Sequence, residues 1–140
     1  MSIFSKGKHP IKTVARRRGD YGEDAAVRYL RKKHFRIRAR NLQFSGREEI
    51  DIIAEDKQTR RYIEVKTRRQ SPDAPSRYGT PSDAVTKDKQ AHLLSAARRY
   101  EERKPTEKSK QFDIIEVYLD PASEEPTLLA IRHLEDAFRG

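Results

Sequence analysis

The apolar positions change their period several times along the chain, and each change marks a new element. Asp20 is a residue type suited to a helix N-cap, and a helix is expected from there to about His34. Ala26, Val27 and Leu30 give its apolar stripe, while Arg28, Arg31, Lys32 and Lys33 form its wet side. Phe35, Ile37 and Ala39 then alternate with Arg36, Arg38 and Arg40, which predicts an amphipathic strand with an all-arginine face. After a turn near Ser45-Gly46 come two short β-branched runs, Glu49 to Ala54 and Tyr62 to Lys66, joined by the polar stretch Glu55 to Arg60. That arrangement reads as a hairpin.

Thr67 to Pro81 is rich in Ser, Pro, Asp and Gly and reads as a long loop, either a substrate-contacting flap or disorder. A second helix is predicted from about Thr86 to Lys104, ended by Pro105, with Leu93, Leu94, Ala97 and Tyr100 at helical spacing. Gln111 to Leu119 and Thr127 to Arg132 read as two further strands, and Leu134 to Phe138 as a helical turn over the core. The expected order is α-β-β-β-α-β-β, an α/β fold with a mixed central sheet flanked by helices.

Charge interrupts this pattern where a plain strand would have none. Asp51 has apolar residues on both sides and no clean polar face, so a cation or a donor should lie beside it. In the next run a period of two puts Glu64 and Lys66 on one face and Ile63 and Val65 on the other. An edge strand with a wet face explains Glu64 and Lys66 alone. If the two strands are neighbours, however, Asp51 lies near Glu64, and two such acids repel unless something positive separates them. A hard divalent cation with oxygen ligands is the simplest candidate. Asp113, another acid inside an apolar stretch, falls outside this pair and reads as structural, paired with a nearby arginine.

Composition narrows the partners. The 140 residues predict one domain over 19–140, preceded by residues 1–18, a basic arm expected to be disordered, with six Lys and Arg and no acid. That arm can add phosphate contacts, act as a solubilising tail or serve as a transit peptide. Residues 1–110 hold 29 Lys and Arg against 15 Asp and Glu, whereas residues 111–140 hold 2 against 7. A bulk of that sign suits a phosphate backbone, and equally an anionic membrane surface or ribosomal RNA. Cysteine is absent, which excludes disulfides and thiolate metal sites, and the longest apolar run is Leu128 to Ile131. No membrane span is expected, and a cytoplasmic protein follows. His9, His34, His92 and His133 are scattered without zinc-site spacing, and the chain has no Gly-rich phosphate loop and no nucleophilic serine elbow.

Asp51 followed by Glu64-Val65-Lys66 resembles the Asp…Glu-x-Lys signature of the restriction-endonuclease-like, or PD-(D/E)xK, nuclease superfamily. Gly22-Glu23, Ala26, Tyr29-Leu30, Asn41, Glu49 to Ala54, Ile63 to Lys66 with Arg68, Tyr78-Gly79, Lys89, Ala97, Tyr100, Phe112-Asp113 and Ala137-Phe138 together resemble the bacterial YraN-like family of predicted endonucleases. The likeness runs from about Gly19 to the C-terminus. It implies a restriction-endonuclease-like core and hydrolysis of phosphodiesters in DNA or RNA, DNA ahead of RNA and branched DNA included. Asp51, Glu64 and the main-chain carbonyl of Val65 are then expected to hold one Mg²⁺ or Mn²⁺, with Lys66 as the third catalytic side chain.

The resemblance also gives Glu23 a second reading. It either complements the helix dipole or reaches the metal. Arg36, Arg38, Arg40, Arg68, Arg69 and Lys89 are candidate nucleic-acid contacts, with solvated surface as the alternative for the arginine face; Lys89 and Gln90 are either site-facing or plain helix surface. A homodimer is consistent with nucleases that cut both strands. Two departures stand out: Glu48 occupies the place of the usual Gly before Glu-Ile-Asp, and Gln111 that of an Arg before Phe-Asp. A nucleic-acid-binding protein of nuclease-like fold without turnover is the alternative to an enzyme.

Overall fold

Helix α1 (Val14–Lys32) begins at Thr13, whose hydroxyl accepts the Arg16 N–H at 3.1 Å. This corrects the expected start at Asp20. Both residue types satisfy orphan N–H groups equally well, so the cap belongs to whichever one the helix reaches first. Asp20 instead takes the Lys12 ammonium at 2.7 Å and lies 3.8 Å from Arg16. The computed structural model describes residues 11–74 and 85–139. Residues 14–18 of the expected arm therefore belong to α1, while residues 1–10, Tyr78-Gly79 and much of the Thr67 to Pro81 loop lie outside the described residues.

Five strands follow, β1 (Arg36–Gln43), β2 (Glu49–Glu55), β3 (Thr59–Arg69), β4 (Ser109–Leu119) and β5 (Leu128–Phe138), with α2 (Lys87–Arg103) between β3 and β4. They form one sheet in the order β1-β2-β3-β4-β5. All neighbours are antiparallel except β3 and β4, which are parallel. A parallel pair needs a crossover, and α2 supplies it. The expected α-β-β-β-α-β-β order and the mixed sheet are both present.

Each helix buries one face of the sheet. Ala25, Ala26, Val27 and Leu30 of α1 pack with Ile52, Ala54, Ile63, Ile115 and Val117. Leu93, Ala96 and Ala97 of α2 pack with Ile53, Tyr62 and Ile114 on the other face. Because side chains alternate along β3, Glu64 and Lys66 share the α2 face with Tyr62. Among the described residues no helix is long and apolar enough to cross a membrane.

Two local expectations fail for the same reason, a bulge. In β1 the register with β2 shifts between Ile37 and Ala39. Ile37 packs into the α1 cluster and Ala39 into the α2 cluster, so the arginine face is split. Arg38 reaches Glu55 at 3.1 Å, and Arg40 reaches Glu23 and Asp24 of α1 at 3.1 and 2.6 Å. Arg36 has no ion pair among the described residues. At the other end, Leu134 to Phe138 continue β5 and form no helical turn. Here Asp136 takes a positive φ of 53°, and the register shifts between Phe112 and Ile114.

That second bulge is held by Asp113. Its carboxylate is fully buried and accepts the Asp136 N–H at 2.9 Å, Arg61 Nη1 at 3.0 Å and Gln111 Nε2 at 3.0 Å, with His133 Nε2 at 2.7 Å. The expected arginine partner is Arg61, and Gln111 joins it rather than leaving a pair missing. Burial pushes the Asp113 carboxyl up, but the His133, Asp136, Gln111 and Arg61 bonds outweigh it and hold the group below its ordinary value. Replacing Asp113 by Ala removes four hydrogen bonds at once and leaves the buried Arg61 with only the exposed Glu135 and the more distant Asp56 as acids. We expect a loss of about 3–5 kcal/mol in urea unfolding at neutral pH. Because the folded group titrates low, the wild-type advantage should fade as pH falls below about 4.

Candidate active site

The site begins where β2 and β3 part. Their ladder runs from the Glu55–Arg60 pair to Ile52–Ile63 and stops there, although both strands continue. The next residues on each side are Asp51 and Glu64. In place of a backbone partner, the Val65 N–H donates to Asp51 Oδ2 at 2.9 Å. The N–H and C=O of a strand residue point the same way across a sheet, so the Val65 carbonyl also faces this opening. β2 loses its regular alternation here: Ile50 packs in the α2 cluster and Ile52 in the α1 cluster. This twist is why Asp51 had no clean polar face in the sequence.

Asp51, Glu64 and Lys66 all border the fork, Asp51 bonding the main chain of Val65 between the other two. Lys66 Nζ lies 3.5 Å from Glu64 Oε2, and Lys89 Nζ lies 3.8 Å from Glu64 Oε1. Glu64 is only 5% exposed, and its Oε1 is buried without a hydrogen bond. Burial, and next the charge of Glu64, push the Asp51 carboxyl up to about 7, against the pull of the Val65 N–H and Lys89. Two carboxylates that resist sharing charge, one with an unused buried oxygen, fit a cation donor set. Among the described residues no group of three or more His, Asp and Glu side chains closes round one point. Asp51, Glu64 and the Val65 carbonyl are the groups that could hold a cation here, and a Mg²⁺ ion characteristically keeps several waters.

The helices set the periphery of the fork. Thr86 caps α2 by accepting the Lys89 N–H at 3.1 Å, which fixes Lys89 in the first turn beside Glu64. Gln90, its neighbour, donates to the Val85 carbonyl at 2.9 Å and is structural. Glu48, in the place of the usual glycine, pairs with Arg99 at 2.7 Å and accepts from Ser95 at 2.9 Å. It thereby ties the turn before β2 to α2. On the other face, a Cβ at Gly22 would lie 2.0 Å from Thr67 Oγ1 and 3.0 Å from its Cβ, so only glycine lets α1 approach β3 this closely.

That approach brings Glu23 near the fork. Burial raises its pKa, Arg40 opposes the rise, and the Asp51 charge adds to it. Its Oε1 is already engaged by Arg40 at 3.1 Å and Asn41 at 2.9 Å. The expected nucleic-acid contacts divide. Lys89 is at the site; Arg68 bonds Glu116 at 3.2 Å and Arg69 bonds the Ser123 carbonyl at 3.0 Å, while Arg38 and Arg40 hold acids as described above. A cleft of about 470 Å³, lined by Arg47, Glu49, Asp88, Lys89 and His92 among others, lies at the N-terminal end of α2.

Comparison with known proteins places the chain in a family. The model of the Uncharacterised protein family UPF0102 matches residues 22–117. A UPF0102 protein of Symbiobacterium thermophilum is 41% identical over 127 residues, covering 89% of this chain and 98% of that protein. The chain belongs to the UPF0102 family. Other UPF0102 proteins, from Caldicellulosiruptor saccharolyticus and Trichlorobacter lovleyi, are each 36% identical and cover 86% and 99% of this chain, and 95% and 97% of their own lengths. The expected YraN-like likeness is thus confirmed as a UPF0102 relationship. Gly22, Glu23, Asp51, Glu64, Lys66, Lys89 and Asp113 all lie inside the segment the UPF0102 model matches.

Sequence reasoning missed the Gly22–Thr67 approach and the Glu48–Arg99 tie. Neither leaves a local pattern, since each joins elements distant in the chain. For Asp51, a folded pKa raised above the unfolded value means that the folded state binds the extra proton. Stability should therefore fall as pH rises from about 4 to about 7, by an amount on the order of a few kcal/mol. Asp51→Asn should flatten that slope, and urea unfolding midpoints across this pH range would show it.

Proposed function

We propose that this protein is a metal-dependent phosphodiester hydrolase acting on nucleic acid, DNA ahead of RNA. The observation that carries the reading is the fork, where two carboxylates and two lysines meet, with Glu64 Oε1 buried and unbonded. Asp51, Glu64 and the Val65 carbonyl would hold Mg²⁺ or Mn²⁺. Such an ion, when bound, polarises the phosphate and lowers the pKa of a coordinated water.

The chain's own groups do the rest. Lys66 sits beside Glu64 with its side chain one-third exposed, placed to position a water or to stabilise charge developing on phosphate oxygens. Lys89 adds a second positive charge from the other side of Glu64. Asp51 is oriented by the Val65 N–H, which leaves its other oxygen for the ion. The excess of Lys and Arg in residues 1–110 attracts the polyanion without regard to sequence.

A second reading, binding without turnover, draws on the same two lysines, since they already balance Glu64 with no metal. The two are separated by incubating the protein with plasmid, branched and single-stranded DNA and RNA in Mg²⁺ or Mn²⁺, alongside Asp51→Asn and Glu64→Gln. Hydrolysis predicts cleavage that drops about 100-fold or more in either variant, as for a lost metal ligand. Cleavage by none of the proteins, or equal cleavage by all three, removes the hydrolase reading. Binding alone predicts nucleic-acid affinity that Asp51→Asn leaves unchanged or improves.

A further inference from the structure

The hairpin end of β2 and β3 carries a second cluster of charge, remote from the fork. A cleft of about 600 Å³ opens there, walled by Arg38, Arg60, Arg103, Lys104 and Lys108 with Glu55 as its acid. Glu55 is 4% exposed and accepts from Arg60 at 2.6 Å, Lys108 at 3.0 Å and Arg38 at 3.1 Å. One buried carboxylate thus organises three cations and cancels one positive charge. Arg60 is fixed further by the Lys104 carbonyl, 2.6 Å away, and its guanidinium lies 4.9 Å above the Tyr100 ring. The Arg103 guanidinium lies 4.8 Å above Phe44. Arg103 and Lys104 are exposed and have no acidic partner among the described residues.

A surplus of positive charge held in place around a concave surface selects a multiply charged anion. Stacked and hydrogen-bonded guanidinium groups lose little freedom on binding, which favours phosphate over weakly held counter-ions. The position supports the same partner. Glu55 stands four residues along β2 from Asp51, roughly 13 Å at strand rise. Arg103 stands fourteen residues along α2 from Lys89, roughly 21 Å at helix rise. The fork and the cleft therefore lie at opposite ends of α2, within reach of one extended polyanion.

We propose that this cleft is a second phosphate site, binding the backbone of the nucleic acid that the fork engages. The proposal rests on the nucleic-acid part of the reading above and not on hydrolysis. It is tested without metal, in chelator, on the full chain carrying Asp51→Asn. Affinity for a fluorescent single-stranded oligonucleotide is measured by anisotropy across a salt series, with and without Arg103→Ala/Lys104→Ala. A control, Arg31→Ala/Lys32→Ala, removes the same charge from the last turn of α1.

Losing two phosphate contacts should weaken binding roughly tenfold or more at moderate salt and flatten the log–log salt slope by about 1.5. The control should move both far less. Equal losses in the two double variants, or no loss in the cleft variant, overturn the proposal. A parallel arm follows thermal stabilisation by inorganic phosphate. Should the cleft variant lose that response yet keep full oligonucleotide affinity, the site takes free phosphate and its assignment to a nucleic-acid backbone is overturned.

Discussion

The parting of β2 from β3 is the constraint on which the rest depends. Ending a ladder inside two strands that both continue leaves backbone groups without partners, and buried groups of that kind are costly. Here Asp51 takes the place of the missing strand partner by accepting the Val65 N–H. That substitution draws a carboxylate into a half-buried position beside a second one, Glu64, and each resists the charge of the other. The fold tolerates the repulsion because α2 delivers Lys89 at its capped first turn, and β3 itself delivers Lys66. Both helices are fastened where they must be. Glu48 holds the turn before β2 against α2, and Gly22 lets α1 lie directly on Thr67.

The other buried acids are treated quite differently. Glu55 has three cations within hydrogen-bonding distance, Glu116 has Arg68 and the Tyr118 hydroxyl, and Asp113 has four donors round it. The consequence is visible in their protonation. Burial alone would raise Glu55, yet its three cations bring it down to about 2, whereas Asp51 is driven up to about 7. A buried ion pair contributes little net stability even when well satisfied, but an unsatisfied one costs several kcal/mol. Glu64 differs from Glu55, Glu116 and Asp113 in that its buried Oε1 makes no hydrogen bond and has only the Lys89 ammonium 3.8 Å away.

Much of this was legible in the residues. The α-β-β-β-α-β-β order follows from changes of apolar period, and Asp51 identified itself as an acid with no polar face. Asp113 was readable for the same reason, down to the type of its partner. What escaped depends on register and on distant contacts. An alternating run such as Phe35 to Arg40 promises one arginine face only if nothing interrupts the ladder, and the bulge after Ile37 sends Arg38 to Glu55 of β2 and Arg40 to Glu23 and Asp24 of α1. Leu134 to Phe138 is too short for its apolar spacing to separate a helical turn from a strand. The choice falls to Asp113, whose buried carboxylate captures the Asp136 N–H and sets the local backbone. Thr13 and Asp20 are both good caps, and local chemistry does not rank them.

The arginine that seemed destined for solvent on β1 shows how far charge placement shapes the molecule. Arg40 closes on Glu23, an acid whose charge interacts with that of Asp51, and Asn41 donates to the same oxygen from a left-handed backbone with φ of 49°. Glu23 is thus held at a defined distance from Asp51, close enough for their charges to interact and bonded firmly enough not to collapse onto it. Among the described residues its side-chain hydrogen bonds go to Arg40 and Asn41, so its tie to Asp51 is one of charge.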